Sequence, residues 1–275
     1  MIHETLLAPF ADGFMANALA AGLLVSISCG VVGTFVVLRG LAFVGDALAH
    51  GVLPGVAVAL LLGLPGMVGA AAGSAAMIGG IALVGRRSRL PSDTAIGLLF
   101  VGMLALGVAV VSRSGSFSGD LVRILFGEIL GVSGTDLLLQ LAATTLIVAL
   151  AALLRRPFLL LCFDPEQADV SGFPSRRHHG IMLALVALTV VVSFRTVGTL
   201  LVFGMLLAPA ATAALFCRRI GAMAAAASAI GAVSVYAGLL VSYHADLAAG
   251  ASITLVATAI FFAALFVRPR PRAVA

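Results

Sequence analysis

The chain contains long runs of apolar residues that carry no formal charge, and this pattern most limits the structures that it can adopt. A helix needs about 20 consecutive apolar residues to cross the hydrocarbon core of a bilayer. The sequence is 62% hydrophobic and only 10% charged, whereas a soluble domain carries about 25% charged residues. Because backbone groups in lipid must be hydrogen-bonded within helices or closed barrels, the pattern predicts one all-α transmembrane bundle over residues 1–275.

The charge-free runs predict about nine spans. The interval 47–85 is long enough for two spans, with a turn at Gly63–Gly66. The other seven are residues 13–38, 94–112, 137–154, 181–194, 196–217, 221–243 and 250–267. Because the run 181–194 is short and Arg195 follows it, the number becomes eight if this run does not cross. Residues 113–136 are too charged to cross lipid and predict a short helix against the outer side of the bundle.

The distribution of arginine predicts the orientation in the membrane. Lysine is absent, so all 16 basic residues are arginine. Nine spans with the N-terminus outside place 13 of the 16 arginines in the cytoplasm: Arg39 and the arginines of the loops 86–93, 155–180 and 218–220 and of the C-terminal tail. The opposite orientation would reverse this ratio and contradict the positive-inside rule. The first twelve residues contain no arginine, so we expect the first span to be retained rather than cleaved as a signal peptide.

The absence of lysine also limits the chemistry. A Walker A loop needs its lysine. If this chain moves a solute with energy from ATP, a separate subunit must therefore hydrolyse the ATP. The sequence contains no HExxH zinc-protease motif and no G-x-S-x-G nucleophile motif. The three cysteines lack disulfide or metal-site spacing and are typical of small apolar filler. The sequence therefore indicates a membrane protein that is not an enzyme, and its arginines, clustered between apolar spans, are typical of the positive-inside rule and not of nucleic-acid binding.

One pair of ionisable residues lies within the predicted spans. Asp46 and His50 are four residues apart, so a helix would place both side chains on one face, where they could hold one cation. Ionisable groups at membrane depth cost at least roughly 2.5–3.5 kcal/mol and are commonly functional. Two alternatives remain: Asp46 is the N-cap of a helix that starts at Ala47, and His50 forms a hydrogen bond to a neighbouring helix.

Two prolines lie inside apolar spans, Pro54 and Pro209. Pro54 has no backbone N–H to donate, which leaves the carbonyl of His50 as a further oxygen ligand. Interrupted helices line the pathways of many transporters, although a single kink in a rigid bundle is the alternative. Glu128 and Asp246 are candidate accessory acids, and for them a helix-end charge and a loop position are the respective alternatives.

Several motifs together resemble the membrane permease family of bacterial ABC importers for zinc, manganese and iron(II). The most specific block is residues 39–55, with Gly45-Asp46-Ala47-Leu48-Ala49-His50 and Leu53-Pro54-Gly55. Further matching segments are Leu125–Leu130, Asp164-Pro165-Glu166 with Ala168 and Gly172, Val197-Gly198, Met205–Ala213, and Ser242-Tyr243 with Asp246 and Gly250-Ala251.

The resemblance implies a fold like that of type II ABC importers. It also implies a homodimer of permeases that rests on two ATPase subunits and receives the ion from an extracytoplasmic metal-binding protein. Within the cytoplasmic segment 155–180, Asp164, Pro165, Glu166, Ala168 and Gly172 would form the helix that couples to the ATPase. Asp46 and His50 would lie on the metal path. No cofactor is expected to stay bound, and one oxygen with one nitrogen ligand does not separate Zn²⁺ from Mn²⁺ as cargo.

The chain departs from the family pattern in its last outer loop. His244 stands where an apolar or aromatic residue is expected, and Ala248-Ala249 stands where a proline is usual. His244 is either an additional ligand near the entrance or a loop histidine without a role. Two other functions are considered: a permease for a siderophore or cobalamin, which would need no acid–imidazole pair, and a membrane scaffold subunit that conducts nothing.

Overall fold

The protein is built from helices throughout the part that the computed structural model describes, residues 8–87, 92–112 and 129–267. Those residues contain no strand. The α-helices are α1 Gly13–Arg39, α2 Ala42–Leu61, α3 Gly66–Arg87, α4 Ser92–Val111, α5 Gly134–Leu153, α6 Arg155–Phe163, α7 Pro165–Val170, α8 Ser175–Phe216, α9 Ile220–Ala245 and α10 Ala249–Val267. Single 3-10 turns lie at Ala8–Ala11 and Ile129–Gly131. The all-α prediction is confirmed.

Nine helical segments in the described residues are long and apolar enough to cross a bilayer, which confirms the predicted number. Several of them begin earlier than the charge-free runs predict, because a membrane helix can include a charged residue in its first turns. The second span begins at Ala42 and contains Asp46, and the fifth begins at Gly134. Asp136 is accommodated in the first turn of α5 by a capping box with Ser133, which offsets the cost of a charge near the bilayer.

Helix α8 contains two spans joined at a break. Its 42 residues would measure about 63 Å as one straight helix, roughly twice the hydrocarbon thickness. Gly198 interrupts the helix with φ 75° and ψ 167°, a backbone conformation that is essentially restricted to glycine. The spans on either side are Ser175–Phe194 and Thr196–Phe216.

The two spans of α8 run in opposite directions. The first begins beside the end of α1, where the charge of Arg39 acts on His179. The second passes Cys29, whose thiol lies 4.0 Å from the carbonyl of Val202, and finishes with Ala213 in a cluster that includes Val37 and Leu38, again at the end of α1. The run 181–194 therefore crosses the bundle, and the nine-span prediction holds rather than the eight-span one.

Helix α1 lies at the centre of the bundle and packs closely against the second span of α8. A Cβ on Gly33 would lie 2.0 Å from the carbonyl oxygen of Leu206, so only glycine permits this approach. On another face of α1, Gly30 lies against the backbone of Ser228 in α9. Small residues at such contacts let membrane helices approach closely, and the core therefore consists largely of α1, α2, α8 and α9.

The segment 155–180 contains more helix than a loop would. It consists of α6, the short helix α7 and the first turns of α8, which carry Arg176 and Arg177. The short helix expected after Asp164 is present as α7. The expected helix within 113–136 lies largely outside the described residues, as do residues 88–91 of the basic loop 86–93 and the C-terminal tail after Val267.

We predict that Gly198→Ala destabilises the protein by about 1–3 kcal/mol, because alanine is strained in this backbone conformation. Thermal unfolding of the detergent-solubilised protein measures the loss. Gly180→Ala is the matched control in the same helix, since a Cβ there meets nothing within 4 Å and alanine is the better helix former. Equal melting temperatures for Gly198→Ala and the wild type would contradict the break.

Candidate metal path and coupling segment

A two-residue turn sets the start of the helix that carries the candidate ligands. Gly40 ends α1 with φ 68°, and its N–H donates to the carbonyl of Val37 while Leu41 donates to Val36. This pattern is a Schellman motif, which requires a left-handed residue at the position of Gly40. Helix α2 then begins at Ala42, three residues after Arg39. The end of α1 and the start of α2 are therefore firmly connected.

Asp46 and His50 lie on one face of α2. The Nε2 atom of His50 is 3.5 Å from Oδ1 of Asp46, and the side chains are 25% and 28% exposed respectively. Because α2 begins at Ala42 with Leu41 as its N-cap, Asp46 is inside the helix. The alternative that Asp46 caps a helix starting at Ala47 is wrong. Phe43, three residues before Asp46, is 65% exposed, so Phe43, Asp46 and His50 form one open stripe.

The imidazole of His50 has an unused nitrogen. Its Nδ1 atom is buried and has no hydrogen-bond partner in the described chain, so the proposed hydrogen bond to a neighbouring helix is not formed there. The ring instead contacts Phe100 of α4 edge-on, with centroids 5.3 Å apart. No sequence pattern indicates this contact, since it depends on how α4 packs against α2. The imidazole is therefore held in place by packing, with its Nε2 atom facing Oδ1 of Asp46.

The described residues contain no group of three or more His, Cys, Asp or Glu side chains that could hold a metal ion. One copy of the chain thus offers two side-chain ligands at this position, fewer than the four of a closed structural zinc site. Such a pair could hold a divalent cation that keeps part of its water shell and can leave again, as conduction requires.

The two prolines that were predicted to mark the path occupy different surroundings. Pro54 is inside α2, one turn after His50, and α4 approaches it so closely that a Cβ on Gly107 would lie 3.1 Å from the proline nitrogen. Pro209 is buried in the second span of α8. One turn earlier in that span, Leu206 packs against Gly45. The span with Pro209 therefore supports the turn of α2 that carries Asp46.

Two of the accessory candidates, Asp246 and His244, do not join the Asp46–His50 pair. Helix α9 runs antiparallel to α1, with Ser228 beside Gly30 and Val235 beside Gly22. Its end therefore lies beyond the start of α1, at the opposite end of the bundle from Arg39. His244 lies there with its ring 5.3 Å from that of Tyr243, and Asp246 ends the helix with φ 51°. Glu128 lies outside the described residues.

The predicted coupling residues form a compact helical unit. Asp164 caps α7 by accepting a hydrogen bond of 3.0 Å from the N–H of Gln167, and Pro165 occupies the first turn, which suits a residue without an N–H. Ala168 is buried and anchors the helix, whereas Glu166 is exposed. Gly172 follows with φ 83°, a left-handed position that turns the chain back towards α8.

A second contact, which the sequence did not reveal, closes this unit. Asp169 accepts hydrogen bonds from the backbone N–H and the hydroxyl of Ser175, at 2.6 and 2.9 Å. These bonds, together with the charge of Arg176, hold the pKa of the Asp169 carboxyl below its usual value. The carboxylate is therefore ionised at neutral pH, and the bonds that need the ionised form are lost when acid protonates it.

Comparisons with known proteins show which family the chain resembles. A model of the ABC 3 transport family matches residues 11–268. The manganese transport system membrane protein MntC of Listeria innocua is 41% identical over 94% of this chain and 92% of its own length. The chelated iron transport system membrane protein YfeD of Yersinia pestis is 37% identical over 96% of this chain and 89% of its own length.

A solved structure has the same fold. The PsaBC structure from Streptococcus pneumoniae, determined in complex with Fab, has a chain that aligns with a TM-score of 0.88 and 36% identity, covering 99% of this protein and 98% of that chain. The family model and these relatives match nearly the whole sequence. The matched range contains both the Asp46–His50 helix and the residues 164–172 of this chain. The chain belongs to the ABC 3 transport family.

Proposed function

We propose that this chain is the permease subunit of an ATP-driven importer and that its cargo is a divalent transition metal, with Mn²⁺ favoured over Fe²⁺ and Zn²⁺. The observation that carries the proposal is the Asp46–His50 pair, on an open face of a membrane-spanning helix with Nε2 3.5 Å from Oδ1. Manganese is favoured because MntC, a relative at 41% identity, is named for manganese transport, while YfeD is named for chelated iron.

The pair supplies what a partly dehydrated cation needs. Carboxylate oxygen suits Mn²⁺, and neutral imidazole binds most first-row divalent ions. The freed carbonyl of His50 and retained water would complete the shell. Because only two side chains of one copy contribute, the ion is held weakly enough to be released to the cytoplasm.

The open stripe of Phe43, Asp46 and His50 favours a homodimer in which the path runs between two copies. In that arrangement each copy would line one wall of the path with its own acid–imidazole pair. A lone copy would leave the pair towards lipid, where ionisable groups are costly.

The remaining partners follow from the chemistry of the chain. Because the chain has no lysine and thus no Walker A loop, two separate ATPase subunits would hydrolyse ATP and contact the 164–172 segment. An extracytoplasmic binding protein would deliver the ion at the opposite end, near Asp246 and His244. A siderophore or cobalamin permease would not need the acid–imidazole pair, and a scaffold subunit would need no path, so neither alternative is favoured.

Asp46→Asn and His50→Ala should each reduce uptake of radioactive Mn²⁺ by at least about tenfold, since even residues that only support a metal ligand change affinity by roughly 10- to 100-fold. Asparagine keeps the volume of Asp46 but removes its charge. The amount of assembled complex in the membrane is measured in parallel. Full uptake by the double variant at low Mn²⁺ concentration would refute the role of the pair.

The choice of metal is tested in the same cells. We expect Mn²⁺ to restore growth of a deletion strain that expresses this permease with its partner subunits, and excess Mn²⁺ to compete with uptake of the labelled ion more strongly than Zn²⁺ or Fe²⁺. Stronger competition by Zn²⁺ or Fe²⁺ would identify that ion as the cargo instead of Mn²⁺. The assignment as a metal permease would not change.

The coupling segment should be separable from transport itself. Replacing Glu166 and Gly172 together by alanine should leave the permease in the membrane but remove the dependence of ATP hydrolysis on Mn²⁺, because alanine is strained at the positive φ of Gly172 and the exposed carboxylate of Glu166 is lost. Purified complexes in proteoliposomes provide the measurement. Normal Mn²⁺-stimulated hydrolysis and uptake in this variant would exclude a coupling role.

The proposed orientation places the α9–α10 turn outside and the start of α9 inside. In a variant without the three native cysteines, a cysteine introduced at Leu247 should react with a membrane-impermeant maleimide in intact cells, and one at Gly221 should not. Both positions are exposed, so both should react after the cells are permeabilised. The reverse labelling pattern would reverse the orientation.

A further inference from the structure

The end of α1 is attached to α6, the helix that leads into the coupling segment. The guanidinium of Arg39 donates a hydrogen bond to the carbonyl oxygen of Leu161. Beside this bond, the thiol of Cys162 lies 3.9 Å from the carbonyl of Phe35. The ring of Phe35 meets that of Phe158 edge-on, with centroids 5.4 Å apart. Helix α6 is therefore held against the last turns of α1 by polar and apolar contacts together.

The acceptor for Arg39 is available because of the sequence of the coupling segment. The last carbonyls of a helix have no partner within the helix. The carbonyl of Leu160 receives the N–H of Asp164 at 2.8 Å, but the residue four positions after Leu161 is Pro165, which has no N–H to donate. Arg39 thus fills a position that Pro165 leaves open. Pro165, which was expected only to take part in coupling, therefore explains why the carbonyl of Leu161 is free to accept from Arg39.

The surroundings indicate that the charge of Arg39 is directed into this junction and not into solvent. Arg39 is half-buried. Burial raises the pKa of the Cys162 thiol, and the positive charge of Arg39 opposes that rise. The same charge acts on His179 in the first turns of α8. Arg39 therefore lies where α1, α6 and the start of α8 meet.

The position of Arg39 along the chain connects this junction to the metal path. Arg39 is the last residue of α1, and α2 begins three residues later after the tight turn at Gly40. Asp46 follows in the second turn of α2. On the other side of the contact, α6 is separated from α7 by Asp164 alone. A displacement of α7 would reach the Asp46–His50 helix through α6, Arg39 and Gly40 with no long loop between them.

We propose that Arg39 is the positioning residue that transmits movement of the coupling segment to the helix that carries Asp46 and His50, through its hydrogen bond to Leu161. This inference rests on the proposed function, because it assumes that the 164–172 segment responds to an ATPase. It assigns Arg39 no contact with the ion.

The test compares Arg39→Gln and Arg39→Lys with the wild type, each purified with its ATPase subunit and placed in proteoliposomes. Two quantities are measured per assembled complex: the ratio of Mn²⁺-stimulated to basal ATP hydrolysis, and Mn²⁺ uptake. Glutamine is shorter and uncharged, so we expect the stimulation and the uptake to fall at least tenfold while basal hydrolysis stays at the wild-type level. Lysine keeps the charge without the planar guanidinium fork, and we expect intermediate values.

Arg87→Gln is the matched control, because it removes the same charge from an exposed arginine at the end of α3 and should transport normally. Wild-type stimulation in Arg39→Gln or in Arg39→Lys would overturn the inference. A loss of uptake in proportion to the loss of assembled complex, with unchanged stimulation per complex, would overturn it as well, since that result describes a structural role only. If Arg39→Gln does not assemble, the Mn²⁺-stimulated hydrolysis of Arg39→Lys per assembled complex is compared with the wild type instead, and equal stimulation overturns the inference.

The Glu166 and Gly172 double variant, measured beside these proteins, separates the inference from the proposed function. If that variant is uncoupled while Arg39→Gln is not, only the role of Arg39 fails. If that variant remains coupled, the coupling role of the 164–172 segment fails, and the role of Arg39 fails with it.

Discussion

The hydrocarbon interior of a bilayer supplies no hydrogen-bond partner to a protein. This constraint explains where the helix break at Gly198, the proline at position 54 and the ionisable pair Asp46–His50 lie in the bundle. Backbone groups must be satisfied within helices or by neighbouring protein. The break at Gly198 lies inside the bundle, where α8 reverses direction. Pro54 removes a donor where α4 packs tightly against it. The ionisable pair of Asp46 and His50 lies side by side on one helix, which lets each group partly satisfy the other.

The same constraint separates two kinds of polar site along the chain. Inside the bundle, many buried hydroxyl groups donate hydrogen bonds to backbone carbonyls, as Thr144 does to Leu24. At the end where α1 finishes, arginines and acids are numerous, and the hydrogen bonds of Asp164 and Asp169 shape a rigid surface. The proposed ion path and the proposed coupling segment thus lie in different chemical environments, and the last turn of α1 lies between them.

Features that depend on one helix could be predicted from the sequence, while those that depend on packing could not. The shared face of Asp46 and His50 follows from their spacing, and the short helix after Asp164 agrees with the acids at its start, which favour a helix there through the macrodipole. The bond from Arg39 to Leu161 joins residues 122 positions apart, so no local pattern indicates it. The contact of Phe100 with His50 is also set by packing. The charge-free runs place some helix starts too late, because the first turn of a helix can accommodate a charged residue, as α5 does with Asp136.

The open stripe on α2 has a consequence for biogenesis. A copy inserted alone into the membrane would present a carboxylate and an imidazole to acyl chains or force water and headgroups to bend towards them, at roughly 2.5–3.5 kcal/mol for a charged group. Solitary copies are therefore penalised by the residues that are proposed to bind the ion. In the proposed homodimer, ion passage and subunit association would depend on the same two positions, so a substitution that relieves one requirement would weaken the other.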